Sequence, residues 1–304
     1  MIKRKELVQS LNKEFRIDSF GRDSAFSRFV PMVYEPVGFD WKSEFTTSFT
    51  TYFNGLMLEG AEVVNQVFLA VFPTDDVLAT FISKANAGDL LFMHHPLVME
   101  CGDPKGEWGR GFVPIPKDWI AGMKEKNLSV YTCHAPMDYH KELGTSVAIA
   151  RELHVNIEEW IIGDEHGEIG IIGSISSIST QRLIQKLEST FDIPYVDFEG
   201  KDHQAIEKVA IIPGCGDKVE WMKQAEAKGV QAYISGEIHC HIDNEYGNRR
   251  FQEMMKYVDE TSMSLIGVSH AASEYLVKKT LIKEWFEREF SIEPILIPQS
   301  KWWL

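Results

Sequence analysis

Four short segments gather the side chains of this chain that can ligate a metal ion: His94-His95-Pro96, His134 to Asp138, Glu237-Ile238-His239-Cys240-His241, and His270 to Glu274. Each follows an apolar, β-branched run that predicts a strand, and in open α/β sheets ligands bind outside the carboxyl ends of strands. Seven of the ten histidines, at positions 94, 95, 134, 140, 239, 241 and 270, fall just after such a run. Scattered surface histidines would not favour that placement. The chemistry it points to is coordination of divalent cations by imidazole and carboxylate.

The spacing supports this piece by piece. Neighbours in a continuing strand point to opposite faces, but where the backbone turns at a strand end the imidazoles of His94 and His95 can converge. Pro96 helps fix that turn, since it holds His95 away from the helical region and cannot donate to a sheet ladder. His270 and Glu274 stand at i and i+4, so a helix beginning near Val268 places them on one face. Asp138 adds a second carboxylate, and two-metal sites hold their ions about 3.5 to 4 Å apart. Taken singly, each piece has a plain structural explanation: a buried His-Pro turn, an exposed helix pair, a loop aspartate. Their coincidence at successive strand ends favours a two-metal site built from His94, His95, Asp138, His270 and Glu274.

Other segments carry weaker signals. Pro213-Gly214-Cys215-Gly216-Asp217 joins a strand to a helix and offers either a phosphate cradle or a plain tight turn, and it lacks the third glycine of a dinucleotide fingerprint. His239 and His241 form an H-x-H pair that can chelate, support another ligand, or simply sit at a polar strand end. Cys133 and Cys240 adjoin histidines, but their spacing supports no thiolate nucleophile, and packing is the better account. Cys101 to Pro116 reads as an exposed loop that could lid a pocket and offer Arg110 to an anion.

The elements that must position these groups alternate. Strands are predicted at Val67 to Phe72, Leu90 to Met93, Leu128 to Thr132, Ile169 to Ile175, Val209 to Ile212, Ala232 to Ile234 and Leu265 to Val268. Helices are predicted at Asp75 to Ala87, Pro116 to Lys126, Thr145 to Leu153, Ser179 to Phe191, Lys218 to Lys228 and Ser273 to Phe290, several with capping residues at their front ends. This pattern is the signature of an α/β protein with largely parallel pairing. Polar, glycine-containing stretches around Gly163 to Gly167 and Asp243 to Arg250 mark expected boundaries. We therefore expect a metal-binding domain of residues 1–160 plus 262–304 and a second α/β domain of residues 161–261. Residues 16–60 show no clear periodicity.

With 304 residues, 31 Lys plus Arg against 45 Asp plus Glu and a net charge of -14, the chain repels phosphate backbones and anionic lipids. Nucleic acid is disfavoured as a partner. No apolar run approaches the roughly 20 residues that span a bilayer, and no secretory signal is visible. Four widely spaced cysteines suggest neither a disulfide framework nor a zinc knuckle. The expected location is the reducing cytoplasm.

At Asp89-Leu90-Leu91-Phe92-Met93-His94-His95-Pro96-Leu97, at Val130-Tyr131-Thr132-Cys133-His134 with Asp138 downstream, at Val209 to Gly216, at Tyr233 to Glu237, and at His270 with Glu274, the chain resembles the NIF-three-like family. The family is also called YbgI-like or type 2 GTP cyclohydrolase I. The resemblance runs from about Asn54 to the C-terminus and implies two intertwined α/β domains with mixed, largely parallel sheets, assembled as homo-hexamers around dinuclear sites. It carries the metal ligands onto His94, His95, Asp138, His270 and Glu274. Two departures stand out. Ala135-Pro136 replaces the usual Thr-Asn, and Ser269 and Ala271 replace the usual Gly and Tyr.

The expected function is a hydrolase that uses two divalent ions, drawn from zinc, manganese, iron, cobalt or nickel, and the resemblance implies a nucleotide-like or phosphorylated heterocyclic small molecule as its substrate. His134 is the candidate for a supporting or proton-transfer role. The alternative is a non-catalytic metal-binding adaptor that uses its ions to hold an oligomer together.

Overall fold

The apolar runs Val67–Leu69, Leu90–Met93 and Ser129–Thr132 form strands that are buried throughout. They pair in parallel, as runs buried on both faces of a sheet do. Ile295–Leu296 adds a parallel edge strand beside Val67–Leu69, and Gly55–Leu58 closes the other edge antiparallel to Ser129–Thr132. This five-stranded sheet belongs to the first of two units into which a computed structural model divides the chain. That unit comprises Met1–Met99, Phe112–Met137 and Lys278–Ser300. The structure describes residues 1–303.

The second unit comprises Glu100–Gly111, Asp138–Val277 and the residues from Lys301 on. Its six-stranded sheet runs in the order Asp197–Gly200, Ser264–Gly267, Ala232–Glu237, Ile206–Cys215, Gly167–Ile178, Asn156–Asp164. The central three strands are parallel and the outer pairings antiparallel. The fold is therefore α/β with mixed sheets, largely parallel in the first unit and largely antiparallel at the margins of the second. Because the chain passes between the units repeatedly, neither is a continuous segment. Among the described residues, no helix is long and apolar enough to cross a membrane.

Every predicted strand and helix is present, with ends moved by a few residues. The helix predicted over Ser273 to Phe290 begins earlier, at His270, and a π-helical turn at Lys278–Ile282 separates His270–Val277 from Lys283–Phe290. The units divide at other places than the expected boundaries. Gly163 to Gly167 is the tip of a hairpin, with Asp164 paired to Gly167, and not a linker. Asp243 to Arg250 leads into the 16-residue helix Glu245–Glu260, capped by Asn244, whose side chain accepts from Gly247 N at 2.8 Å. Ser264–Gly267 pairs in parallel with Ala232–Glu237, which places it in the second unit, so only Lys278–Ser300 returns to the first.

Residues 16–60 turn out to supply the first unit's aromatic core. Short helices at Phe26–Tyr34, Trp41–Glu44 and Thr47–Tyr52 bury Phe26, Tyr34, Trp41 and Phe49, and the turns between and after them bury Phe45 and Phe53. Tyr34 Oη accepts from Ile115 N at 3.2 Å, which satisfies a polar atom inside that core.

Ser269 stands at the start of the helix that carries His270 and Glu274, with φ of 73°. Left-handed backbone costs a residue with a side chain about 1 kcal/mol, a cost that glycine avoids. Ser269 offsets the cost because its Oγ accepts from Ala272 N at 3.2 Å, capping the helix, and donates to the carbonyl of Trp302. Ser269→Ala, which keeps the strain and loses the cap, should lower stability by about 1 kcal/mol. Ser269→Gly, which trades the cap for relief of strain, should stay within a few tenths of a kcal/mol of wild type. Urea midpoints of the two variants measure the difference.

Candidate metal centre

In the first unit His94 and His95 follow the strand Leu90–Met93 directly, and both of their backbone N–H groups donate to the carbonyl of Val71, at 3.2 and 3.0 Å. One acceptor thus ends the strand and turns both residues before Pro96. His134 follows the neighbouring strand Ser129–Thr132. The three imidazoles lie with ring centroids 4.9, 5.0 and 5.3 Å apart, and one donor nitrogen of each is within 4.8 Å of the other two. Phe26 and Phe72 wall the cluster, Phe72 at 4.4 Å from His95 and Phe26 at 4.7 Å from His134. His94 and His95 are buried. Nitrogen donors gathered behind aromatic walls suit a borderline divalent cation.

Asp23, fully buried, orients this cluster. His134 Nδ1 donates to Asp23 Oδ2 at 2.9 Å, and the other carboxylate oxygen accepts from the N–H groups of Ala25 and Phe26, each at 3.0 Å. Asn54, also buried, donates to Asp23 Oδ2 at 3.3 Å and accepts from His134 N at 2.8 Å. A carboxylate on Nδ1 fixes the tautomer in which Nε2 carries the lone pair, as it does for imidazoles that bind metals or move protons. Burial alone would raise the Asp23 pKa, yet the His134 imidazole and the hydrogen bonds bring it down to about 2.

In the second unit Glu274 stands one helical turn beyond His270, as the spacing predicts, and the two meet at 2.9 Å through His270 Nε2. On the other side of the ring, Nδ1 lies 3.1 Å from Glu237 Oε2 and 3.7 Å from Cys101 Sγ. All four residues are buried. Burial opposes a charged imidazole, but Glu274, Cys101 and Glu237 around it push the His270 pKa well up. His270 thus has a buried carboxylate against each ring nitrogen, and imidazole with carboxylate is a donor set that divalent cations accept. Gly214, with φ of 52°, passes so close that a Cβ there would stand 2.8 Å from Glu274 Oε1 and 3.0 Å from His270 Nε2. At Gly236 a Cβ would come within 2.9 Å of His270 Cα. Gly214 thus makes room for the His-Glu pair, while a Cβ at Gly216 would press on Ser235, so both glycines serve close packing at this turn. Asp138 ends the short helix Ala135–Asp138 and accepts from Thr145 Oγ1 at 3.0 Å.

The structure therefore brings His94 and His95 together with His134 in the first unit, and in the second brings Glu274 together with His270 and with Asp138, which offers an oxygen within 4.8 Å of a Glu274 oxygen. Asp23, Asn54, Cys101 and Glu237 support these groups and were missed as a set. Only Glu237 carried a signal, being the last residue of a strand beside two histidines. His140 is a turn residue, its Nδ1 accepting from Glu142 N and Leu143 N at 3.2 and 3.0 Å. Arg110 is engaged by Glu100, at 2.6 Å through both Nε and Nη2, and so is not held out for an anion. The four cysteines are free thiols. Burial holds Cys101 and Cys215 protonated and pushes Cys240 up to about 12, against a nucleophilic role.

The depressed Asp23 pKa contributes stability that is present above pH 4 and is lost as pH falls through about 2. The difference from the model carboxyl corresponds to about 2 kcal/mol. Urea midpoints measured from pH 5 to pH 2 should fall more steeply for wild type than for Asp23→Asn; parallel curves would show that Asp23 is not held by His134.

The sequence matches the family described as Duf34/NIF3 (NGG1p interacting factor 3) over residues 47–301. A GTP cyclohydrolase 1 type 2 homolog of Archaeoglobus fulgidus is 30% identical over 189 residues, covering 60% of this chain and 69% of its own length. One from Pyrococcus horikoshii is 27% identical over 253 residues, covering 80% and 88%. Among solved structures, a protein named ybgI, of unknown function, superposes with a TM-score of 0.66 at 18% identity over 99% of this chain and 100% of its own. The match in sequence over most of the chain shows that it belongs to the Duf34/NIF3 family.

Proposed function

We propose that the protein is a metal-dependent hydrolase in which His94, His95, Asp138, His270 and Glu274 hold two divalent ions. The observation that carries this reading is the doubly flanked imidazole of His270, with Glu274 on Nε2 and Glu237 on Nδ1. A buried histidine is given an orienting carboxylate behind it and an anionic group in front, as metal-ligating histidines are. Divalent ions there would supply electrophilic activation of water and of a polar substrate group.

The chain's own residues have distinct tasks in this scheme. Glu237 holds His270 in one tautomer, and Asp23 does the same for His134. With Nδ1–H donated to Asp23, His134 presents Nε2 to accept a proton from water and return it to a leaving group. Phe26 and Phe72 exclude bulk water from the imidazoles, which strengthens every charge interaction among them. On a chain with net charge -14, an anionic substrate would be met by the ions and not by a basic surface. The names of the archaeal relatives point to a nucleotide-like or phosphorylated heterocyclic substrate. A homo-oligomeric assembly is part of the same reading.

Two measurements on purified protein test this together: metal content by elemental analysis, and hydrolysis of a panel of nucleotides and phosphoesters. Wild type should hold two ions per chain, and His95→Ala and Asp138→Ala should each lose at least one along with activity. Two ions held with no hydrolysis in the panel would favour the adaptor reading. Metal content below one ion per chain, unchanged by either substitution, would overturn the metal centre itself.

A further inference from the structure

A second cluster of ligating side chains lies in the second unit, outside the groups described above. Asp197 and Glu199 alternate on the edge strand Asp197–Gly200, so both point to the same face. His239 and His241 stand two residues apart in the segment that follows the strand Ala232–Glu237. The two i, i+2 pairs meet. His239 Nδ1 donates to Asp197 Oδ2 at 2.6 Å, and one donor atom each of Asp197, His239 and His241 lies within 4.8 Å of the others. Gly267, paired with Asp197 across the sheet, permits this approach, because a Cβ there would stand 3.2 Å from the Asp197 Cβ and 3.3 Å from Ile238 N.

His239 Nε2 gives the cluster its meaning. The residue is 4% exposed, and among the described residues Nε2 has no hydrogen-bond partner. Glu199 Oε1 lies 4.0 Å from it, beyond hydrogen-bond reach. With Nδ1–H given to Asp197, Nε2 carries a lone pair, so an acceptor faces a carboxylate with no donor between them. A buried imidazole lone pair and a half-buried carboxylate that share one space with no donor between them suit a cation. Phe251 and Trp108 pack on the histidine rings, Phe251 at 5.1 Å from His239 and Trp108 at 5.5 Å from His241, and hold them in place. Glu199, its side chain 31% exposed, is the member of this group that reaches solvent.

We propose that Asp197, Glu199, His239 and His241 form a mononuclear site for a zinc-like divalent cation, separate from the dinuclear centre. Two imidazoles with one or two carboxylates are a donor set that zinc, cobalt and nickel accept. Asp197 either ligates or orients His239. A bound ion would tie the edge strand to the segment following Glu237, the residue that orients His270. The inference does not require the hydrolase reading, since none of its residues belongs to the five ligands proposed there.

The test uses cobalt(II) as probe on chelator-stripped full-length protein, with stoichiometry from equilibrium dialysis and coordination from visible d–d absorption. In the background His94→Ala, His95→Ala, Glu274→Gln, one cobalt per chain should remain with its absorption band. Adding His239→Ala and His241→Ala should remove both the ion and the band. Because loss of two buried rings can unfold the unit, Glu199→Gln, at a partly exposed position, provides a milder variant. It should weaken cobalt binding in that background by about tenfold, in the range seen for supporting ligands, with an unchanged circular dichroism spectrum. If the background binds no cobalt while folded, or if its cobalt is indifferent to both Glu199→Gln and the histidine pair, the proposal fails.

Discussion

Buried carboxylate is the constraint on which the second unit's site depends. Glu274 is 1% exposed and Glu237 7%, and the imidazole of His270 stands between them. Taking a carboxylate out of water costs several kcal/mol unless charge and hydrogen bonds compensate it. Two carboxylates held against one buried imidazole form a donor set that divalent ions suit. The first unit holds a set of imidazoles of its own at the ends of two parallel strands, with one buried carboxylate, Asp23, behind them.

The surrounding backbone is shaped by the need to bring these groups close. Gly214 and Gly236 leave room where any Cβ would press on His270 or Glu274. Ser269 accepts a left-handed conformation so that the helix can begin at His270 itself, and recovers part of the cost through its cap. Val71 spends one carbonyl on two successive amides so that neighbouring histidines leave the strand together. Each of these features sacrifices some local backbone freedom to the position of a ligating side chain. That pattern suits a site whose geometry matters more than the stability of the segments that carry it.

Much of this was legible in the sequence. The buried parallel strands announced themselves as short apolar runs, and the i, i+4 spacing of His270 and Glu274 translated directly into contact because a helix leaves little choice. Residues 16–60 were opaque for a physical reason: helices of four to nine residues are too short to display a period, and their aromatic residues face a core from several directions. Asp23 and Asn54, contributed by that segment, could not be assigned to His134 without the fold. Glycine-rich stretches were ambiguous in another way. Gly163 to Gly167 is a hairpin tip and Gly247 lies in the first turn of a capped helix, so composition that resembled linkers marked turns inside a sheet and at a helix start.

The account's central claim is that five ligands drawn from segments far apart in sequence hold two ions. Anomalous diffraction from crystals of the full chain, collected on both sides of the zinc edge after zinc loading, tests it most directly. The account predicts two anomalous peaks about 3.5 to 4 Å apart, bounded by His94, His95, Asp138, His270 and Glu274. No anomalous density at those residues in zinc-loaded crystals would contradict it.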